Sequence, residues 1–304
     1  MEDRPLVISH SHCQDGFTAA WVCHGVFGKK ADYRFMRHDD PRPTTAEVAN
    51  RLVIFTDFTF NDVESMRRIR EEAAALVILD HHKTAGPMLE KLAGELPASV
   101  SHNVTATEDG STCNSVLERM ELDADGLVIR FHKDKCGSRL AWEYFHPAEA
   151  SPKFLDYVED RDLWKWDLPQ SKEINASLSS YEFDFRQWDI FAEADLVDLE
   201  VEGRAINRFR DREIRSICQN AREVEFAGHR VLAVNSPCLI SDVAGEVARG
   251  RPFGIAWFRR ADGKVQVSLR VRDGEFDVGV LAEKHGGGGH ARAAGFVTED
   301  EIWR

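Results

Sequence analysis

No run in this chain approaches the ~18 consecutive apolar residues that a membrane-spanning helix needs, so the sequence predicts no span. The opening Met1-Glu2-Asp3-Arg4-Pro5 also lacks the basic and apolar pattern of an export signal, and the expected location is the cytoplasm. Cysteine is sparse. The six cysteines (13, 23, 113, 136, 218 and 238) form no CxxC pair, which excludes a dense disulfide framework and predicts reduced thiols. Positive charge is in deficit, with 39 Lys/Arg against 52 Asp/Glu and a formal charge of −13, which argues against a general coat for polyanions. The deficit is uneven: residues 223–304 hold 11 Lys/Arg against 12 Asp/Glu, leaving 28 against 40 in residues 1–222. An acidic chain still binds phosphates where metals and local arginines supply the field, so this balance excludes little else.

What is present is a core-forming chain of 304 residues with 43% hydrophobic content, long enough for one large domain or two ordinary ones. Its organising stretch is Val77-Ile78-Leu79-Asp80-His81-His82. The apolar run is continuous rather than alternating, as in a strand buried on both faces of a parallel sheet. It ends in oxygen and nitrogen donors suited to a divalent metal. Two other runs end alike. Leu6-Val7-Ile8 leads into Ser9-His10-Ser11-His12-Cys13-Gln14-Asp15-Gly16, and Leu52-Val53-Ile54-Phe55 into Thr56-Asp57. A parallel sheet would gather these ends where open α/β sheets place their ligands. Carboxylates gathered there are costly unless paired or bound to metal.

Between the strands, helices are expected at 17–23, where Gly16 permits a tight turn, and from a cap-like Asn61-Asp62-Val63-Glu64 through Ala75. Residues 38–46 read as loop, Thr105–Thr112 as loop and Cys113–Met120 as helix. Leu127–Phe131 reads as a strand, and helices follow Gly137-Ser138 and Pro152. The second of these runs into the acidic Glu159-Asp160-Arg161-Asp162. Val201, Ile206, Phe209, Ile214 and Ile217 suggest a long amphipathic connector helix. Beyond it, strands at 230–234, 253–258 and 265–271, an Asp262-Gly263 hairpin signal, and helices at 241–249 and 278–285 describe a small α/β domain. The expected divisions are 1–195 for a metal-binding domain, 196–222 for the connector and 223–304 for a substrate-binding domain. The last contains Gly286-Gly287-Gly288-Gly289 followed by His290 and Arg292, a run that lets backbone amides approach an anion.

Taken together, the His10–Gly16 segment, Asp57, Asp80-His81-His82, Asp160 and the Gly287–His290 loop resemble the DHH phosphoesterases. The branch is the one with a DHH-associated C-terminal domain, which includes RecJ-like nucleases and NrnA-like oligoribonucleases. The resemblance implies an N-terminal parallel-sheet domain, a smaller C-terminal α/β domain and an active-site cleft between them. It also implies two divalent ions, manganese first and magnesium as the alternative. Asp57 would bridge them, His81, Asp15 and Asp160 would complete one, and His10 would serve the other. His82 would face the substrate phosphate, and Asp80 would orient the histidines. Gly287, Gly288, Gly289, His290 and Arg292 would hold the nucleotide. The first motif departs from the family, with Cys13 where an aspartate commonly stands, so His12 and Cys13 remain open as ligands. Asp162 rivals Asp160, with Asp160 preferred.

The implied activity is manganese-dependent hydrolysis of short oligonucleotides to mononucleotides, by water activated between two metals with Asp57 and His82 as catalytic groups. Trp164 or Trp166 would stack on a base unless packed in the core. The same centre could serve small phosphates (pAp, cyclic dinucleotides, pyrophosphate or polyphosphate). Cys13 also admits a nucleotide-binding regulator without activity. The partner is therefore a short oligonucleotide or nucleotide phosphate rather than a membrane, and a homodimer is left open.

Overall fold

A computed structural model of the chain describes residues 4–38, 40–94 and 126–303. Two compact units appear, Met1–Ile206 and Asn207–Arg304. The first runs β1 (Leu6–His10), α1 (Gln14–Phe27), β2 (Asp32–Met36), α2 (Thr45–Val48), β3 (Leu52–Thr56), α3 (Val63–Glu72), β4 (Ala75–Asp80), α4 (Ala85–Gly94), β5 (Leu127–Phe131), α5 (Gly137–Phe145), α6 (Lys153–Asp162), α7 (Ser171–Leu178) and α8 (Phe185–Glu193). Then α9 (Leu196–Cys218) crosses the boundary between the units.

The first sheet is parallel throughout, in the order β2-β1-β3-β4-β5. Successive residues of its central strands enter opposite cores. Val7, Ile54, Val77, Leu79 and Val128 pack with α1, α5 and α6, whereas Ile8, Val53, Phe55, Leu76, Ile78 and Ile129 pack with α3 and α4. Both faces are thus covered, which is why these strands are unbroken apolar runs. Each such side chain contributes about 1.5–3 kcal/mol on burial. The strand order reverses between β1 and β3, the switch point at which open α/β sheets bind ligands.

Several local expectations need correction. Gly16 lies inside the first turn of α1 rather than in a turn before it. The N-cap of α3 is Asp62, not Asn61, and its carboxylate accepts the Ser65 amide at 2.8 Å. The edge strand β2 was not foreseen because its residues are mostly half-exposed and charged. On α9, Val201 and Phe209 are exposed, while Leu199 and Ile214 are buried and Gly203 packs where a Cβ would meet the Glu173 carbonyl. The packed positions are therefore Leu199 and Ile214 with the close approach at Gly203, and the stripe through Val201 and Phe209 is not the buried one. The readings of 105–112 and 113–120 lie outside the described residues. Among the described cysteines, Cys13, Cys23, Cys136, Cys218 and Cys238 are free. No helix is long and apolar enough to cross a membrane among the described residues.

The second unit adds β6 (Arg222–Phe226), β7 (His229–Asn235), α10 (Ile240–Val247), β8 (Gly254–Arg259), β9 (Val265–Arg270), α11 (Val278–Glu283), β10 (Gly288–His290) and β11 (Ala293–Thr298). Its sheet order is β10-β11-β9-β8-β7-β6, antiparallel except for β7 with β8. α10 packs with Val234 and Ala256 on one face, and α11 with Ile255, Val267 and Leu269 on the other. Asp262-Gly263 does form the β8–β9 turn, with Gly263 at φ 85°.

Candidate metal centre

The centre is built at the carboxyl ends of β1, β3 and β4. β3 stops at Thr56, and Asp57 takes a left-handed φ of 53°, with its amide donating to the Leu79 carbonyl at 2.9 Å. Aspartate tolerates that conformation better than most residues, and strain of this kind concentrates at functional sites. β4 stops at Asp80, so His81 and His82 emerge beside Asp57. β1 stops at His10, and a short turn through His12 at φ 56° brings Asp15 into the first turn of α1.

Two donor sets share one carboxylate. Asp15, Asp57 and His81 offer atoms within 4.8 Å of one another, and so do His10, Asp57 and His82. His81 Nε2 lies 3.0 Å from Asp57 Oδ1 and 3.9 Å from Asp15 Oδ2. His10 Nδ1 lies 3.6 Å from Asp57 Oδ2, and His82 Nδ1 lies 3.8 Å from Asp57 Oδ1. Asp80 points its carboxylate at its neighbours instead: Oδ1 accepts the His81 and His82 amides at 2.7 and 3.0 Å and His82 Nδ1–H at 2.8 Å. Thr59 Oγ1 donates to its other oxygen at 2.7 Å. This fixes the His82 tautomer and leaves Nε2 free for a ligand.

Electrostatics follow from this crowding. Burial and the Asp57 charge push the Asp15 carboxyl up. Burial, Asp15 and Asp57 do the same to Asp162. Burial also disfavours the Asp57 carboxylate, but the His10 imidazole 3.6 Å away, the His81 hydrogen bond and the His82 and His81 charges prevail and hold it well below the usual range. Burial disfavours the His81 cation, yet the Asp57 hydrogen bond and the charges around it raise His81 well above an ordinary imidazole. His82 is raised in the same way through Asp80. Buried His10 Nδ1, Asp57 Oδ2 and Asp162 Oδ2 have no hydrogen bond. Unfilled polar atoms converging from separate strand ends are what divalent cations would complete, and the donor set fits them.

Of the two acidic residues at the end of α6, Asp162 is the one seen to approach His81, while the buried Asp160 Oδ2 also has no hydrogen bond. Asp162 Oδ2 lies 3.4 Å from His81 Nε2, whereas Asp160 Oδ1 accepts the Asp167 amide at 2.9 Å. Two residues apart on a helix, these side chains point to different faces, so only one can meet the cluster. His12 is exposed, and neither His12 nor Cys13 belongs to a donor set among the described residues. Burial and the Asp57, Asp15 and Asp162 charges push the Cys13 thiol well up, which keeps it neutral.

In the second unit the glycine run folds as the edge strand β10 rather than a loop. A Cβ at Gly287 would sit 2.1 Å from the Gly295 carbonyl oxygen, and one at Gly289 would sit 2.5 Å from that of Ala293. Gly289 is required by strand pairing, and Gly287, just before β10, by its close approach to β11. At Gly288 a Cβ would meet nothing within 4 Å, so packing does not explain that glycine. Gly288, His290 and Arg292 are exposed.

Comparison with known proteins agrees in both units. The DHHA1 domain profile matches residues 239–302. The chain is 25% identical to oligoribonuclease NrnB of Bacillus subtilis over 95% of its length and 72% of that protein's. These similarities support a DHH-family phosphoesterase. It is also 27% identical to the uncharacterized protein R106 of Acanthamoeba polyphaga mimivirus, over 96% of this chain and 67% of that one. The fold of a pGpG-specific phosphodiesterase, PggH from Vibrio cholerae, superposes with a TM-score of 0.52 at 12% identity, covering 97% of this chain and 93% of the other.

Sequence reading missed two contributors to the site. Gly137 and Ser138 open α5, and their amides donate to Asp15 Oδ2 and Oδ1 at 2.6 and 3.0 Å, with Ser138 Oγ adding a third bond. A helix N-terminus thus neutralises part of the Asp15 charge. The signal was available: Gly-Ser opens the helix after β5, as Asp-Gly does after β1. His38, in the segment read as loop, stacks on Phe58 with centroids 4.9 Å apart and lies 6.1 Å from His10. Burial and the neighbouring His10 and His82 push its pKa down.

Protons and metal should compete here. Asp15, Asp162, His81 and His82 all have folded pKa values raised above their unfolded ones. Each therefore contributes stability at low pH that is lost as pH rises through its folded value. Asp57 runs the other way, but its window lies below about pH 4. The chelated protein is expected to lose thermal stability between about pH 6 and about pH 9. Added manganese should restore it, with a larger gain at the alkaline end because fewer protons must leave. Melting curves with chelator and with manganese check both trends, and a gain that shrinks with pH would contradict them.

Proposed function

We propose that this DHH phosphoesterase is a manganese-dependent phosphodiesterase that hydrolyses short oligonucleotides to mononucleotides. The observation that carries the reading is the Asp57 carboxylate shared by the sets Asp15–Asp57–His81 and His10–Asp57–His82. Asp15, Asp57, His81 and Asp162 would hold one ion, with Asp162 in the place first given to Asp160, and His10 with Asp57 the other. When bound, such a pair supplies positive charge at phosphorus and a nucleophile available near neutral pH. The imidazole share of the donors favours manganese over magnesium, which prefers all-oxygen shells.

The protein's own groups do the rest. Asp57 stays ionised because His10 stands 3.6 Å from it and His81 hydrogen-bonds to it. His82, held by Asp80 through Nδ1 and 34% exposed at its side chain, presents Nε2–H to a substrate phosphate oxygen and offsets its charge. The amides of Gly137 and Ser138 fix Asp15 in one orientation, which limits the motion of that side of the centre. In the second unit, the unexplained Gly288 with His290 and Arg292 offers an amide, an imidazole and a guanidinium to a substrate phosphate.

Catalysis by NrnB, named an oligoribonuclease, supports the choice of short RNA over a long strand. The test compares a di- to pentanucleotide RNA, pAp and pyrophosphate with manganese and then magnesium. Release of mononucleotides from RNA, faster with manganese, is expected. Preferential cleavage of pAp or pyrophosphate would instead assign a small-phosphate hydrolase, and nucleotide binding without hydrolysis a regulator.

A further inference from the structure

We infer that Trp164 is a base-stacking residue of this site, so that the substrate must carry a nucleobase beside the phosphate being cut. The inference rests on the phosphodiesterase reading and adds a specificity determinant to it. Trp164 follows α6 by two residues, where Asp162 reaches His81 at 3.4 Å. It is 76% exposed, the most exposed large hydrophobic side chain among the described residues. Single exposed hydrophobic side chains are ordinary, so the exposure matters here only together with the backbone that holds it.

The backbone makes that exposure a built feature. Trp164 and Trp166 both adopt left-handed φ values, 57° and 56°, which bulky residues rarely accept. Asp160 holds the turn. Its carbonyl accepts the amides of Lys165 at 2.9 Å and Trp166 at 3.4 Å, its carboxylate accepts that of Asp167 at 2.9 Å, and Trp164 N donates to Arg161 O at 3.0 Å. Asp160 is therefore a positioning residue for this turn. Trp166 meets Trp164 edge-on, ring centroids 5.4 Å apart, and leaves a face of the Trp164 indole open. An indole with an open face, on a hydrogen-bonded turn two residues after Asp162, suits a flat, sequence-tolerant partner, and a nucleobase attached to a phosphate at that cluster is such a partner.

The experiment measures both binding and turnover. Binding of AMP and of ribose 5-phosphate to the manganese-loaded protein is followed by calorimetry for wild type, Trp164→Ala and Trp164→Phe. Wild type should prefer AMP by about tenfold or more. Trp164→Ala should abolish that preference without changing ribose 5-phosphate affinity, and Trp164→Phe should keep most of it. For turnover, Trp164→Ala should raise KM for a trinucleotide RNA but not for the same trimer lacking its bases. Equal AMP and ribose 5-phosphate affinities in wild type, or equal losses for both probes in Trp164→Ala, would overturn the inference. If the AMP preference depends on Trp164 but no phosphodiester is hydrolysed, stacking stands and the phosphodiesterase reading fails.

Discussion

Asp57→Asn should lower manganese-dependent turnover of a short RNA by about 10³-fold or more while leaving the protein folded. Asp57 belongs to both donor sets, so loss of its charge weakens both sides of the centre at once. Asparagine is the appropriate replacement because it also accepts the left-handed φ of 53°, whereas alanine there adds about 1–2 kcal/mol of strain. Asp57→Asn also relieves repulsion with Asp15 and Asp162, so the melting temperature of the chelated protein should change by only a few degrees. Steady-state kinetics at saturating manganese, with a thermal melt as control, decide the matter. Retention of a tenth or more of wild-type turnover would remove Asp57 from the role of shared ligand.

Gly137→Ala should be nearly as damaging although no charge changes. A Cβ at this position would lie 2.4 Å from Asp57 Cβ and 2.7 Å from Asp57 Cα, and neither atom can move without moving β3 or the start of α5. If α5 yields, Asp15 loses the amides of Gly137 and Ser138, and both carboxylates shift. A displacement of about 1 Å at a catalytic site costs on the order of 10²-fold in rate, and overpacking costs about 1–3 kcal/mol in stability. Ser138→Ala deletes only the hydroxyl bond to Asp15 and should be milder on both counts. Manganese affinity, melting temperature and turnover of the two variants measure the difference. Unchanged metal affinity in Gly137→Ala would show that the close approach has no bearing on the centre.

The sequence by itself determined the parallel sheet and the strand-end donors. Burial of both sheet faces forces unbroken apolar runs, and Asp or His at their ends stands out against that background, as at His10, Asp57 and Asp80-His81-His82. The second unit was legible for a similar reason, through its strand runs and the Asp262-Gly263 turn. Only the tertiary structure showed that Asp162 approaches His81 while Asp160 holds the following turn, because acidic residues two apart on a helix differ in the face they occupy rather than in chemistry. It alone joined Gly137 and Ser138 to Asp15, a contact 122 and 123 residues apart in the chain. It alone showed that close backbone approach to β11 requires Gly287 and Gly289, while a side chain at Gly288 would meet nothing. Close backbone approach and long-range hydrogen bonds are properties of packing, and a linear pattern of residue types does not encode which backbones will meet.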